Sequence, residues 1–289
     1  MREKLTHSFP LILFTSLMPL AIGLEIGAAG IVWINDINVW TLRLILNWSL
    51  SSAILAAILV SFHLGRPLKG HNSIRGALHS CLSREIIFGG GFAGLLLFGT
   101  IVAYTAPESN LLTFILIGDG MFGLATAFII GRVYHLAAQL TWRGIIPSSG
   151  PVLASLLAAL STIFIYTHSA EQSSVFRIVF CLILGIDTVF TLIRLKLFIQ
   201  LKHSSYILIY PRYKIISILC LSGKIAVAVF LLINVIRGSF SMALSFVMLQ
   251  IVLDRAAFYA SAARQTPKSN IAIAKDQRMQ AALNSTSND

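Results

Sequence analysis

The residues best placed for chemistry are a histidine and a glutamate at the two ends of one polar stretch. His63 closes an apolar run and opens the sequence His63-Leu-Gly-Arg-Pro-Leu-Lys-Gly-His-Asn-Ser-Ile-Arg75, and Ser83-Arg84-Glu85-Ile86 then begins the next apolar run. Gly65 and Pro67 stop the preceding helix. Two antiparallel helices joined here bring both side chains to the same membrane face. A histidine and a carboxylate at an interface accept and pass protons near neutral pH, which two-electron, two-proton quinone chemistry requires. Arg66 and Arg84 flank them; either can hydrogen-bond a quinone carbonyl, and both serve as topology determinants and partner contacts. A structural role competes: His63 capping a helix end, and Glu85 favouring a helix N-terminus through the dipole. Spacing alone favours that structural role.

The elements that must hold these residues are membrane spans. Of 289 residues, 56% are hydrophobic and 11% charged, with a mean hydropathy of +0.83; a soluble domain needs roughly 25% charged residues to face water. A span takes about 20 apolar residues, so the chain accommodates about eight and leaves no room for a catalytic domain. Eight apolar stretches run from Phe9 to Ile34, Leu42 to Leu64, Glu85 to Thr105, Leu111 to Val133, Val152 to His168, Val175 to Leu195, Tyr213 to Ile236 and Phe240 to Ala263. The expected fold class is an all-α bundle of about eight transmembrane helices over residues 1–264, with a polar, disordered tail at 265–289. The run from Phe9 is too long for a secretory signal and lacks a cleavage site. No internal repeat is evident.

The net charge of +11 does not point to nucleic acid, because the cations lie between apolar runs rather than on a stripe or arm. They mark orientation instead. Both ends of the chain and the two long loops, 65–84 and 196–212, collect nearly all of them, together with Arg132, Arg143, Arg194, Arg255 and Arg264. The other side has Arg43, Arg177 and Arg237. The positive-inside rule makes both termini cytoplasmic.

The central block resembles the membrane anchor subunits of bacterial dimethyl sulfoxide reductase and its relatives. The resemblance rests on His63-Leu-Gly-x-Pro, Asn72-Ser73 and Leu82-Ser-x-Glu85-Ile86, with outer matches at Phe9-Pro10-Leu11, Arg132-Val133-Tyr134 and Arg255-x-x-Phe258-Tyr259. It extends over nearly the whole chain. It implies an eight-helix anchor without haem in the bacterial inner membrane, surrounded by lipid. Such an anchor docks an iron–sulfur subunit and a molybdopterin catalytic subunit, and exchanges electrons with menaquinone or ubiquinone. The family's quinol-site histidine and glutamate map onto His63 and Glu85, which turns the reading of these two from structural to functional. One departure stands out: in familiar members this block and the docked enzyme face the periplasm, whereas the charge bias here places the block in the cytoplasm. A cytoplasm-facing, sulfite-oxidising complex that reduces quinone is therefore the alternative within the family.

Other cofactors find little support. His7, His63, His71, His79, His135, His168 and His203 fall at helix ends or in loops, whereas a bis-histidine haem needs histidines within facing spans. Cys81, Cys181 and Cys220 form no C-x-x-C, so neither an iron–sulfur cluster nor a metal site is expected on this chain. Glu25, Asp119, Asp187 and Lys224 lie inside spans, where an ionisable residue is a functional candidate. Asp187 and Lys224 fall near mid-depth and can pair, as a structural ion pair or as a proton path. Gly89, Gly90, Gly91 and Gly94 suggest close helix packing. The remaining alternative, a secondary transporter, would show repeated halves and helices broken at mid-depth.

Overall fold

The computed structural model describes residues 2–34, 38–63, 81–133, 145–166, 170–200, 211–237 and 242–260, and every regular element among them is an α-helix. In chain order these are α1 (Arg2–Ile34), α2 (Val39–His63), α3 (Cys81–Thr105), α4 (Asn110–Val133), α5 (Ile145–Tyr166), α6 (Ala170–Gln200), α7 (Pro211–Ile236) and α8 (Ala243–Ala260). All eight are long and apolar enough to cross a bilayer, as expected. Several outrun their apolar stretches, because backbone hydrogen bonding continues past the hydrocarbon. Both α1 and α5 begin seven residues before their apolar runs, at Phe9 and Val152. Pro147 sits in the first turn of α5, where a missing N–H costs nothing. The tail 265–289 lies outside the described residues.

The helices pack as two rings of four. In the first, α1 packs on α2, α2 on α3, α3 on α4 and α4 on α1; in the second, α5, α6, α7 and α8 close in the same order. The rings join through α1 on α5, α4 on α5 and α1 on α8. Exchanging each helix with its counterpart in the other ring maps this set of contacts onto itself. The two halves thus share one contact pattern that no sequence repeat announces.

The joint between the rings is a seam of small residues. A Cβ added at Gly23 would lie 2.5 Å from the Ala158 side chain and 2.6 Å from the Ser155 carbonyl; one at Gly27 would lie 2.6 Å from Thr162. One at Gly30 would meet Ile163 at 2.8 Å. The Gly23-x-x-x-Gly27 spacing brings α1 and α5 together at backbone distance, the usual solution where water supplies no drive for helix association. The glycine run of α3 meets the packing expectation only in part. Gly91 lies against Phe122 and Gly89 in ordinary contact with Met18, but Gly90 and Gly94 face open space. They sit on the outward side of α3, where there is no neighbouring helix to approach.

Apolar side chains cover the outer faces, among them Ile54, Ile58, Phe98, Leu182 and Leu219, as lipid contact demands. Trp33, Trp40 and Tyr104 are exposed at the end of the bundle opposite the 64–80 loop, where an aromatic belt belongs. There Arg43 donates to the Ala103 and Tyr104 carbonyls at 3.0 and 3.2 Å, satisfying the last turn of α3.

Gly23→Val is expected to destabilise the folded chain by about 1–3 kcal/mol or more, read as a lowered unfolding midpoint of the detergent-solubilised complex. Gly90→Ala, facing open space, should leave that midpoint unchanged.

Candidate functional site

Glu85 is the fifth residue of α3, at the end of the first ring where α2 finishes in His63. The adjacent α2 and α3 pack along each other with the start of α2 beside the end of α3, so the end of α2 and the start of α3 lie at the same face. Gly89, one turn beyond Glu85, looks towards Met18 of α1 and Thr126 of α4; Glu85 shares that inward face, since residues four apart align on a helix. Glu85 is 6% exposed, and its Oε1 has no hydrogen-bond partner among the described residues. Arg84 turns to the surface. The His63 side chain and the whole of Arg66 lie outside the described residues. A buried carboxyl with a spare oxygen at the mouth of a helix bundle is equipped to take or give a proton.

The second ring holds a larger polar feature. Lys224 Nζ donates to Oδ1 of Asp187 and to Oδ1 of Asp254, each at 2.9 Å. Arg194 reaches the same Asp254 oxygen at 2.6 Å, and Arg255 pairs with its Oδ2. Gln250 Nε2 donates to Asp187 Oδ2 at 2.8 Å. The expected Asp187–Lys224 pair is therefore present, as part of a six-residue network that sequence reasoning missed. The available signal was Gln250, Asp254 and Arg255 occurring inside an apolar span. Arg194 and Arg255, assigned by sequence to the loop-facing cations, are buried at 8% and 2% exposure; Asp254 draws them into the bundle. Gly150 on α5 leaves room for the Arg255 guanidinium. A cavity of about 10 Å³, open to the centre of a single water-sized sphere, adjoins Lys224, Gln250 and Asp254.

Glu25 and Asp119 behave differently. Both are fully buried in the first ring, and neither carboxyl has a hydrogen-bond partner among the described residues. No three His, Cys, Asp or Glu side chains among the described residues come together as a metal site.

A family model described as DMSO reductase anchor subunit (DmsC) matches residues 2–260. The chain belongs to this family. The match takes in all eight helices and both ends of the polar block, so this member of the anchor family is a multi-pass membrane protein. No curated protein matches the chain.

The network predicts a specific stability pattern. Lys224→Met leaves the buried Asp187 carboxylate without its cation, while Asp254 keeps Arg194 and Arg255, and should cost about 3–5 kcal/mol. Adding Asp187→Asn should recover part of that loss. Unfolding midpoints of the single and double variants, arranged as a double-mutant cycle, check the coupling.

Proposed function

We propose that this chain anchors a molybdopterin oxidoreductase of the dimethyl sulfoxide reductase type in the bacterial inner membrane and is its quinone-reactive subunit. Quinone binds at the end of the first ring, between α2 and α3. His63 hydrogen-bonds one quinone oxygen and handles its proton, while Glu85 relays protons towards water. Arg66 or Arg84 holds the second carbonyl. Electrons pass to or from an iron–sulfur partner subunit docked over the same face, which in turn serves the molybdopterin subunit. The observation that carries this reading is Glu85 itself: a carboxyl buried at that mouth with an oxygen left over, beside the helix that ends in His63.

Within the family, the charge bias favours a docked enzyme on the cytoplasmic side, and hence a sulfite-oxidising complex that reduces quinone as the second reading. Burial of Arg194 and Arg255 removes two cations from that bias, but the surplus at the ends of the chain and in the 64–80 loop remains. A transporter is less well supported. The repeated halves exist, yet they meet along the closed glycine seam rather than around a mid-depth cavity, and no span is broken among the described residues.

Affinity purification of the chain in mild detergent should recover an iron–sulfur protein and a molybdenum protein. His63→Ala and Glu85→Gln should each lower quinone-linked turnover by about a hundredfold or more, with the partners still bound. Full quinone-linked turnover in His63→Ala would remove the site assignment; a chain that purifies alone from cells expressing the whole system would remove the anchor reading.

A further inference from the structure

Glu25 and Asp119 are buried carboxyl groups that the quinone chemistry above leaves unused. Each is 0% exposed, and all four oxygens lack a hydrogen-bond partner among the described residues. The two lie close across α1 and α4. A Cβ on Gly120, next to Asp119, would stand 3.3 Å from Glu25 Oε2.

The neighbouring helices bring no counter-charge to them among the described side chains. On α2, Arg43 is bound to the end of α3. On α4, Arg132 stacks over Phe128 a full three turns away. On α3, Glu85 has a spare oxygen of its own. The charged pair on α8, Asp254 and Arg255, belongs to the second ring's network, and α5 carries no charged residue. The second ring shows how this fold neutralises an aspartate on its fourth helix: Asp254 is met by Lys224, Arg194 and Arg255. The first ring places an aspartate on its own fourth helix and adds a glutamate, and among the described side chains no cation bonds to either. Two carboxyls this close and this deep cannot both be ionised at tolerable cost, so protons must take the place of the missing cations.

We propose that Glu25 and Asp119 form a proton-exchanging site at the middle of the first ring, and that it trades protons with Glu85 during quinone turnover. The second part rests on the quinone reading above. Met18 and Gly89 lie at one level, which puts the pair about 16 Å along the helix axes from Glu85 at 1.5 Å per residue. Between them Gly123 is packed against Ile22 and Phe92, where a Cβ would meet those side chains at 2.9 and 3.2 Å. This apolar layer makes the pair a holding site rather than an open channel: the proton waits until the layer loosens, and no continuous water file leaks across the membrane. In the transfer one O–H bond on the pair breaks and one forms on Glu85. No electron moves through it; the electrons of the quinone go to or come from the partner's cluster.

Infrared spectra of the intact complex in H₂O and D₂O test the site directly. A protonated-carboxyl C=O band should be present, shift on deuteration, and disappear in the Glu25→Gln/Asp119→Asn double variant, whose neutral side chains keep the packing. Absence of that band, meaning ionised carboxylates holding a metal cation, or a band that does not exchange, would overturn the site. For the link to Glu85, quinone-linked turnover is normalised to the dye-linked turnover of the partner subunits in the same preparation. It should fall about tenfold or more in Glu25→Gln and in Asp119→Asn. If both variants retain full quinone-linked turnover while His63→Ala loses it, the link is wrong and the quinone reading stands. If His63→Ala is fully active, the quinone reading and the link both fail, and the infrared result alone decides the proton site.

Discussion

The close approach of α1 and α5 is the contact on which the rest of the bundle depends. Inside a bilayer, lipid tails are as apolar as leucine, so helices gain little from burying apolar side chains against each other. What holds them is van der Waals contact at short range, and Gly23, Gly27 and Gly30 provide it by removing every side chain that would keep the two backbones apart. α1 and α5 are also the two helices shared most widely: each packs on two members of its own ring and two of the other. A wider seam would separate the rings and take α4 off α5 and α8 off α1 with it.

The rings spend their buried polarity in different ways. In the second, Asp187, Arg194, Lys224, Asp254 and Arg255 come from three helices and satisfy one another, which ties α6, α7 and α8 at one register. A buried ion pair is weak evidence of net stability, because desolvation consumes much of the Coulomb gain. Its effect is to make any slipped arrangement expensive. In the first ring the buried carboxyls of Glu25, Glu85 and Asp119 keep oxygens without partners among the described residues. Unsatisfied polar groups at that depth are the expensive choice, and they occur in the half of the molecule that carries His63. Structural economy in one ring and retained chemical capacity in the other fit a protein whose two halves share a fold but divide the work.

Much of this was legible before any coordinates. Span number follows from the charge deficit and the length of the apolar runs, since a bilayer accepts nothing else. Pairing of Asp187 with Lys224 followed from two opposite charges at similar depth. Legibility failed wherever a contact joined residues far apart in the chain. Asp254 gave no warning that it would draw Arg194, sixty residues away, out of the loop-facing charges. The glycine run of α3 was conspicuous but half of it faces outward, while the functional seam was the less conspicuous Gly23-x-x-x-Gly27.

By itself, then, the sequence determined the fold class and the membrane habitat, because each depends on the solvation of a continuous segment. Only the tertiary structure decided which helices touch, that they form two rings, and that among the described residues Asp254 is met by cations while Glu25 and Asp119 are not. Those depend on which residues of distant helices arrive at the same depth and azimuth. Apolar spans of similar length carry almost no record of that in their hydropathy, since lipid-facing and helix-facing positions are apolar alike.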